Sequence, residues 1–286
     1  NRVTASCIDN EGNIWFGHWS GGISKYNITS QQFEEIIPKN IDSKKSIFSI
    51  LQDKNGIIWF ATEGQGLIKL ENGNFSLITT SNGLCSNVVY ALATDKEGTL
   101  WVGTTNGITQ IKQEKYNKTL ASNSVRSLLP DRKGNMWVGT TDKGIFKIGS
   151  DNQIKHYTTA NGLAHNYVRV MFEDASGNIF IGTYGGGVSK YLPQLELNNY
   201  NGSIFQTIST KHGLSNDKVL SIIQDREKNI WIGTYLYLNQ YFDEQFEIYG
   251  NNEGLTNSLV WSIIQDKNKN FWIGTEGGLI EAALQS

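Results

Sequence analysis

Only two cysteines, three prolines and two methionines occur among the 286 residues, and no apolar run approaches the ~18 residues needed to span a bilayer. Two cysteines, Cys7 and Cys85, are too few for a disulfide framework. Cys7 fills a slot that most other copies of the repeat described below give to Ile or Leu, so it reads as a small buried hydrophobe. Charge of one sign is lacking too: 25 basic residues face 27 acidic ones, which leaves no basic footprint for nucleic acid. The opening NRVTASCIDN has no signal-peptide pattern. The four histidines, His18, His156, His165 and His212, sit in unrelated registers. They offer no metal-ligand spacing and no Ser, His and Asp order, so neither a metal nor a cofactor is called for.

What is abundant is a repeated phrase. WFGHWSGGISKY at residues 15–26 returns as WFATEGQGLIKL, WVGTTNGITQI, WVGTTDKGIFKI, FIGTYGGGVSKY, WIGTYLYLNQY and WIGTEGGLIEA. The leading aromatics are Trp15, Trp59, Trp101, Trp137, Phe180, Trp231 and Trp272, separated by 44, 42, 36, 43, 51 and 41 residues. Six residues before each stands an aspartate: Asp9, Asp53, Asp95, Asp131, Asp174, Asp225 and Asp266. Seven coincidences at fixed spacing are a repeat, and a repeat decides the architecture.

Each unit reads as four short strands. A β-branched and aliphatic strand such as VLSIIQD runs into a tight turn of the DRKGN type, where the glycine supplies a positive φ. The strand NMWVGT, a glycine-rich turn, a strand such as GIFKI and a fourth such as IKHYTT follow. In the last two copies Lys228 and Lys269 replace the turn glycine, each before an asparagine, and a slightly different turn is expected there. Four antiparallel strands at a period near 43 residues predict a β-propeller, because one sheet cannot cover both of its faces whereas a ring of sheets can. The expectation is an all-β, seven-bladed propeller forming a single domain over residues 1–286. Blades one to six own fourth strands near Phe33, Phe75, Tyr116, Ile154, Phe205 and Phe246, and the seventh does not. The NRV segment matches the tail of phrases like SNDKV, so the chain reads as part of a longer protein. An upstream segment ending in a GLS-like turn would complete the last blade.

The pattern of Asp, a two-residue gap, Gly, then LWVGT and GL or GI resembles the two-component regulator propeller repeat over the entire chain. That resemblance implies a periplasmic sensor region of a bacterial hybrid two-component system, a type that often regulates polysaccharide use in Bacteroidetes-like bacteria. Related propellers also occur in streptogramin-type lyases and in glycosidases. The sequence holds no kinase, receiver or helix-turn-helix segment. The implied partners are an oligosaccharide or other small ligand, other domains of the same sensor and a second copy in a homodimer. No membrane contact is implied for this piece.

In a propeller, the turn between second and third strands and the link into the next blade share one face at the mouth of the channel. Sites arise where equivalent positions disagree. Five residues before each Asp the copies read Thr4, Phe48, Tyr90, Arg126, Arg169, Leu220 and Trp261. Two arginines offer forks for carboxylate or sulfate, and aromatic faces stack on sugar rings. An acidic oligosaccharide suits both. The turns add Trp19, Glu63, Tyr184, Tyr235, Tyr237 and Glu276. His18 stands where every other copy has Thr, and Glu63 and Glu276 are its candidate acidic partners for acid–base chemistry. Three readings stay open: a non-catalytic sensor, a lyase or hydrolase acting through His18 with a nearby Glu or Tyr, and a structural spacer or dimerisation module.

Overall fold

In the computed structural model the described residues are 2–38, 41–42, 44–197, 202–255 and 259–283. Seven antiparallel sheets follow one another in chain order. Blade one holds β1 (Val3–Ile8), β2 (Ile14–His18), β3 (Ile23–Asn27) and β4 (Gln32–Ile36), and blade two holds β5 (Ile47–Gln52), β6 (Ile58–Thr62), β7 (Leu67–Glu71) and β8 (Asn74–Ile78). Blade three is β9 (Val89–Thr94), β10 (Leu100–Thr104), β11 (Gly107–Lys112) and β12 (Lys115–Thr119). Blade four is β13 (Val125–Pro130), β14 (Met136–Thr140), β15 (Ile145–Ile148) and β16 (Ile154–Tyr157). Blade five is β17 (Val168–Glu173), β18 (Ile179–Thr183), β19 (Val188–Tyr191) and β20 (Phe205–Ile208), with a short helix α1 (Pro193–Leu197) before its last strand. Blade six is β21 (Val219–Gln224), β22 (Ile230–Thr234), β23 (Leu238–Phe242) and β24 (Gln245–Tyr249). Blade seven has three strands among the described residues, β25 (Val260–Gln265), β26 (Phe271–Thr275) and β27 (Gly278–Ala282). The protein is an all-β, seven-bladed propeller. Contacts group the described residues into two compact units, one within residues 2–125 and 264–283 and the other within residues 126–263.

Within each unit the apolar core lies between successive sheets. In the first, Trp15 and Ile23 of blade one meet Ile47, Ile50 and Phe60 of blade two. In the second, Trp137 and Ile145 meet Val168, Met171 and Ile181. Close approach is made possible by the glycine that ends the WxGT phrase's apolar run: a Cβ on Gly139 or Gly182 would lie 2.6 Å from a methyl of Val168 or Val219 on the next blade. An invading methyl at such a distance forces the sheets apart.

The repeated aspartate does more than turn the chain. In blade four, Asp131 Oδ1 accepts the Asn135 backbone N–H at 2.8 Å, while Oδ2 accepts the Trp137 indole N–H at 2.8 Å. Asp9–Trp15, Asp53–Trp59, Asp95–Trp101, Asp225–Trp231 and Asp266–Trp272 repeat the indole bond at 2.7 to 3.1 Å. The spacing of six residues is therefore a reach, since it brings the carboxylate back onto the buried indole across the hairpin. Burying a tryptophan removes about 200 Å² from water, about 5 kcal/mol before entropy is subtracted, provided its N–H finds a partner. Blade five has Phe180 instead, and there Asp174 Oδ2 accepts from Asn178 Nδ2 at 2.7 Å.

The expectation of a different turn in blades six and seven is corrected. Lys228 and Lys269 themselves take φ of 72° and 71°, and their N–H groups bond the Asp225 and Asp266 carbonyls just as Gly134 bonds Asp131. The aspartate's acceptors hold the same turn at the cost of placing a side chain in the left-handed region, about 1 kcal/mol.

The 51-residue interval accommodates α1. Its Glu196 accepts from Lys155 at 2.5 Å, from the Tyr157 hydroxyl at 2.7 Å and from the Tyr191 hydroxyl. Burial alone would raise the Glu196 pKa, but these bonds and the charge of Lys147 outweigh it and hold the carboxyl at about 2. A carboxyl depressed in the folded state stabilises fully above its unfolded value and loses that contribution as pH falls through the folded one. Acid unfolding should therefore show a loss of about 2 kcal/mol between roughly pH 4.5 and pH 2 that Glu196→Gln removes, read from urea midpoints across that range.

Candidate ligand-binding surfaces

The varied position five residues before each Asp is structurally special. In β1, β5, β9, β17 and β21 it is the extra residue of a β-bulge: Val3 pairs with His18 and Ala5 with Gly17, and Thr4 has no opposite number. Phe48, Tyr90, Arg169 and Leu220 are skipped in the same way. A bulge re-aims one side chain without disturbing its neighbours, so this register can vary while the flanking valines stay fixed. That signal was readable only as a contrast between constant and variable columns.

In the first unit, Thr4 serves the backbone and the aromatics form a wall. Thr4 Oγ1 donates to the Ile47 carbonyl at 2.6 Å. Trp19, 41% exposed, meets Phe48 edge-on at 5.9 Å between centroids, and Phe48 meets Tyr90 at 5.1 Å. The Arg2 guanidinium lies 5.1 Å over the Trp19 ring and forms an ion pair with Glu276. Ser46 Oγ donates to Glu63 at 2.6 Å. Arg2 and Ser46 carried no sequence signal as site residues.

His18 departs from its expected surroundings. In the other copies the threonine hydroxyl bonds a carbonyl of the following turn, as Thr62 does to Gly66 at 2.7 Å and Thr183 to Gly187 at 2.8 Å. The imidazole instead turns toward β3, where Nε2 lies 2.9 Å from Ser24 Oγ, and Nδ1 is buried without a hydrogen bond. Burial pulls its pKa below the ordinary imidazole range. Of its alternative acidic partners, Glu63 is engaged by Ser46 and Glu276 by Arg2.

The second unit carries a cationic, phenol-rich cluster. Tyr167 packs on Tyr184 at 5.0 Å, Tyr184 donates or accepts at 2.7 Å with the Tyr235 hydroxyl, and Tyr235 meets Trp261 at 6.1 Å. Lys218 Nζ lies 5.0 and 4.9 Å from the Tyr184 and Tyr235 rings. Arg169 is held below the usual guanidinium range by burial first and then by the charge of Arg126; a guanidinium still keeps its proton at neutral pH. Leu220 is buried. Tyr237 takes φ of 74° and lies away from this cluster beside Gly250. Tyr167 and Lys218 stand two residues before the varied position, a register that carried no reading in the sequence. Among the described residues, no group of three His, Cys, Asp or Glu gathers as a metal ion would require, and no helix is long and apolar enough to cross a membrane.

The model of the family described as "Two component regulator propeller" matches residues 42–64, 83–106, 119–142, 162–185, 213–236 and 254–277, together half of the chain. The chain belongs to that family. Each matched segment of this regulator propeller runs through a first strand and ends two residues past the threonine of the WxGT phrase or its equivalent. No curated protein matches it. Among solved structures, it is similar to the extracellular domain of the hybrid two component system BT3049 from B. thetaiotaomicron, with TM-score 0.82 and 24% identity. That likeness covers 99% of this chain and 40% of the other, so the propeller spans less than half of that relative. It is also similar to virginiamycin B lyase from Staphylococcus aureus, with TM-score 0.75, 13% identity and coverage of 98% and 94%. A third likeness is to PorZ, a surface component of the type-IX secretion system of Porphyromonas gingivalis, with TM-score 0.72, 15% identity and coverage of 95% and 45%. At these identities the likeness carries the fold.

Proposed function

We propose that this propeller is a non-catalytic, periplasmic sensor module of a two-component signalling protein, and that its second unit recognises an acidic oligosaccharide. The observation that carries this reading is the cluster of Arg126, Arg169 and Lys218 among Tyr167, Tyr184, Tyr235 and Trp261. Among the described residues no carboxylate forms an ion pair with Arg169 or Lys218. Two neighbouring half-buried guanidinium groups repel, and an anion between them relieves that repulsion with charge-assisted hydrogen bonds. The phenol and indole faces supply flat surface for a pyranose ring. Membership of a regulator propeller family and likeness to an extracellular sensor domain support the signalling context. Engagement of the Glu63 and Glu276 carboxylates by Ser46 and Arg2 supports the absence of catalysis.

A panel of oligogalacturonate, chondroitin sulfate and a neutral cello-oligosaccharide tests it. The acidic members should raise the melting temperature by mass action and the neutral one should not. Binding should weaken as salt rises. Equal response to all three, or release of unsaturated sugar during incubation, would count against the reading.

A further inference from the structure

A cleft of about 210 Å³ opens on blade six, lined by Tyr237, Ile248, Gly250, Asn251, Asn252 and Glu253. Two departures from the repeat shape it. At the register of Tyr237 the six other copies have glycine, namely Gly22, Gly66, Gly107, Gly144, Gly187 and Gly278, each at positive φ. Other blades have no room there for a side chain: a Cβ on Gly66, Gly144 or Gly187 would lie 2.2 Å from the carbonyl oxygen that ends the fourth strand, at Ile78, Tyr157 or Ile208. Tyr237 takes φ of 74° all the same, a region that glycine enters freely and tyrosine does not.

The second departure lies beside the first. The residue after the fourth strand is Thr79, Thr158 or Ser209 in blades two, four and five, and the two threonine hydroxyls accept the N–H groups of Ser81 and Ala160 at 3.2 Å. Blade six has Gly250 in that place, and the Tyr237 ring stands 3.2 Å from where a Cβ on Gly250 would be. A capping side chain has been exchanged for an aromatic ring. Burial does not account for the exchange, because Tyr237 stays partly exposed and Ile248 in the same cleft is 42% exposed. A strained backbone kept for a half-exposed ring points to a use outside the fold.

Charge narrows that use. Glu253 stands at the register of Asn82 and Asn161 and makes their bond: its Oε2 accepts the Gly250 N–H at 2.7 Å, as their Oδ1 atoms accept those of Thr79 and Thr158 at 2.9 Å. The negative charge it adds is not needed by the turn. From Asn229 to Gln265 the sequence has no Lys, Arg or His, yet it has Asp243, Glu244, Glu247 and Glu253. The Tyr249 phenol is held above its usual range by burial first and then by the charges of Glu247 and Glu253. Such a potential repels an anion and draws in a cation.

We propose that this cleft binds an amino sugar, a small ring that carries a primary ammonium group among hydroxyls. The ammonium pairs with Glu253 and lies against the Tyr237 ring, where cation–π attraction adds to the charge-assisted hydrogen bond. The Asn251 and Asn252 amides, each able to donate and to accept, serve the hydroxyls. Ile248 meets the C–H face of the sugar. The site shares no residue with the cluster of Arg126, Arg169 and Lys218, is opposite to it in sign and does not rest on the acidic-ligand reading.

D-Glucosamine, titrated calorimetrically into the intact 286-residue protein at about pH 6, where the amine is protonated, should bind. D-Glucose and N-acetylglucosamine, which lack the ammonium, should bind at least about tenfold more weakly. Tyr237→Gly restores the residue of the other six copies at a φ they share, and Glu253→Gln keeps an oxygen for the Gly250 N–H while removing the charge. Each should lower glucosamine affinity at least about tenfold with the melting temperature nearly unchanged. Absence of glucosamine binding overturns the proposal. So does undiminished affinity in either variant, glucose binding as tightly as glucosamine, or tighter binding of Nα-acetyl-lysinamide, which has the ammonium without the hydroxyls. Substituting Arg126 and Arg169 by alanine should leave glucosamine binding unchanged, so this proposal and the acidic-ligand reading fail in separate experiments.

Discussion

Replacing Asp131 by alanine should destabilise the protein by about 3 kcal/mol, lowering the melting temperature by about 5 to 10 °C. The carboxylate is only 6% exposed and accepts three hydrogen bonds, from the Asn135 backbone N–H at 2.8 Å, Asn135 Nδ2 at 2.7 Å and Trp137 Nε1 at 2.8 Å. Alanine leaves the indole N–H of a fully buried tryptophan unsatisfied, which costs about 1 to 3 kcal/mol, and releases the turn at the Asn135 amide. Blade five supplies a natural control, because Phe180 has no donor for Asp174. Asp174→Ala should cost about 1 kcal/mol less than Asp131→Ala. Trp137→Phe, which copies the blade-five arrangement, should make a subsequent Asp131→Ala cheaper by a similar amount. Strict additivity in that double-mutant cycle would show that the indole bond contributes nothing.

The same residues explain why the fold was legible and the chemistry less so. Repetition averages over seven copies, so the Asp-to-Trp spacing and the WxGT phrase define strand order and turns without any long-range information. What repetition conceals is the reason for a constant residue. The aspartate reads as a turn former, and only the coordinates reveal that its second oxygen holds the indole. Lys228 and Lys269 mislead for a related reason: local preference favours a new turn, whereas the aspartate's two acceptors impose the old one.

Site residues are legible only where copies disagree. The bulge column picked out Phe48, Tyr90, Arg126, Arg169 and Trp261, and the structure groups Phe48 with Tyr90 in one unit and Arg126 with Arg169 in the other. Lys218 and Tyr167 occupy one register, seven residues before the Asp, where the other copies read Arg2, Ser46, Val88, Ser124 and Leu259, a mixture that does not declare a site. His18 was visible as an odd residue, but its direction was not. A side chain at a strand end turns toward whichever neighbour offers a bond, here Ser24 on the adjacent strand and not a carboxylate of a flanking blade.

Substituting both Arg126 and Arg169 by alanine should abolish binding of oligogalacturonate while leaving the melting temperature nearly unchanged. Each charge-assisted hydrogen bond to a carboxylate contributes about 1.5 to 3 kcal/mol, so losing two weakens affinity by a factor of at least about a hundred. Stability is spared because opposing terms cancel. The alkyl stems lose packing, but a desolvated cation that Arg126 repels is removed from among Tyr167, Tyr184 and Tyr235. Lys218→Ala should have a smaller effect, because its ammonium sits over the Tyr184 and Tyr235 rings as a point charge with no fork. Calorimetric titration of the three variants at two salt concentrations separates these contributions. The arginine pair should flatten the salt dependence, since the charges that interact with the ligand's carboxylates are gone. Undiminished affinity in the double variant would move recognition to the Trp19, Phe48 and Tyr90 wall of the first unit, where Arg2 over Trp19 is already paired with Glu276.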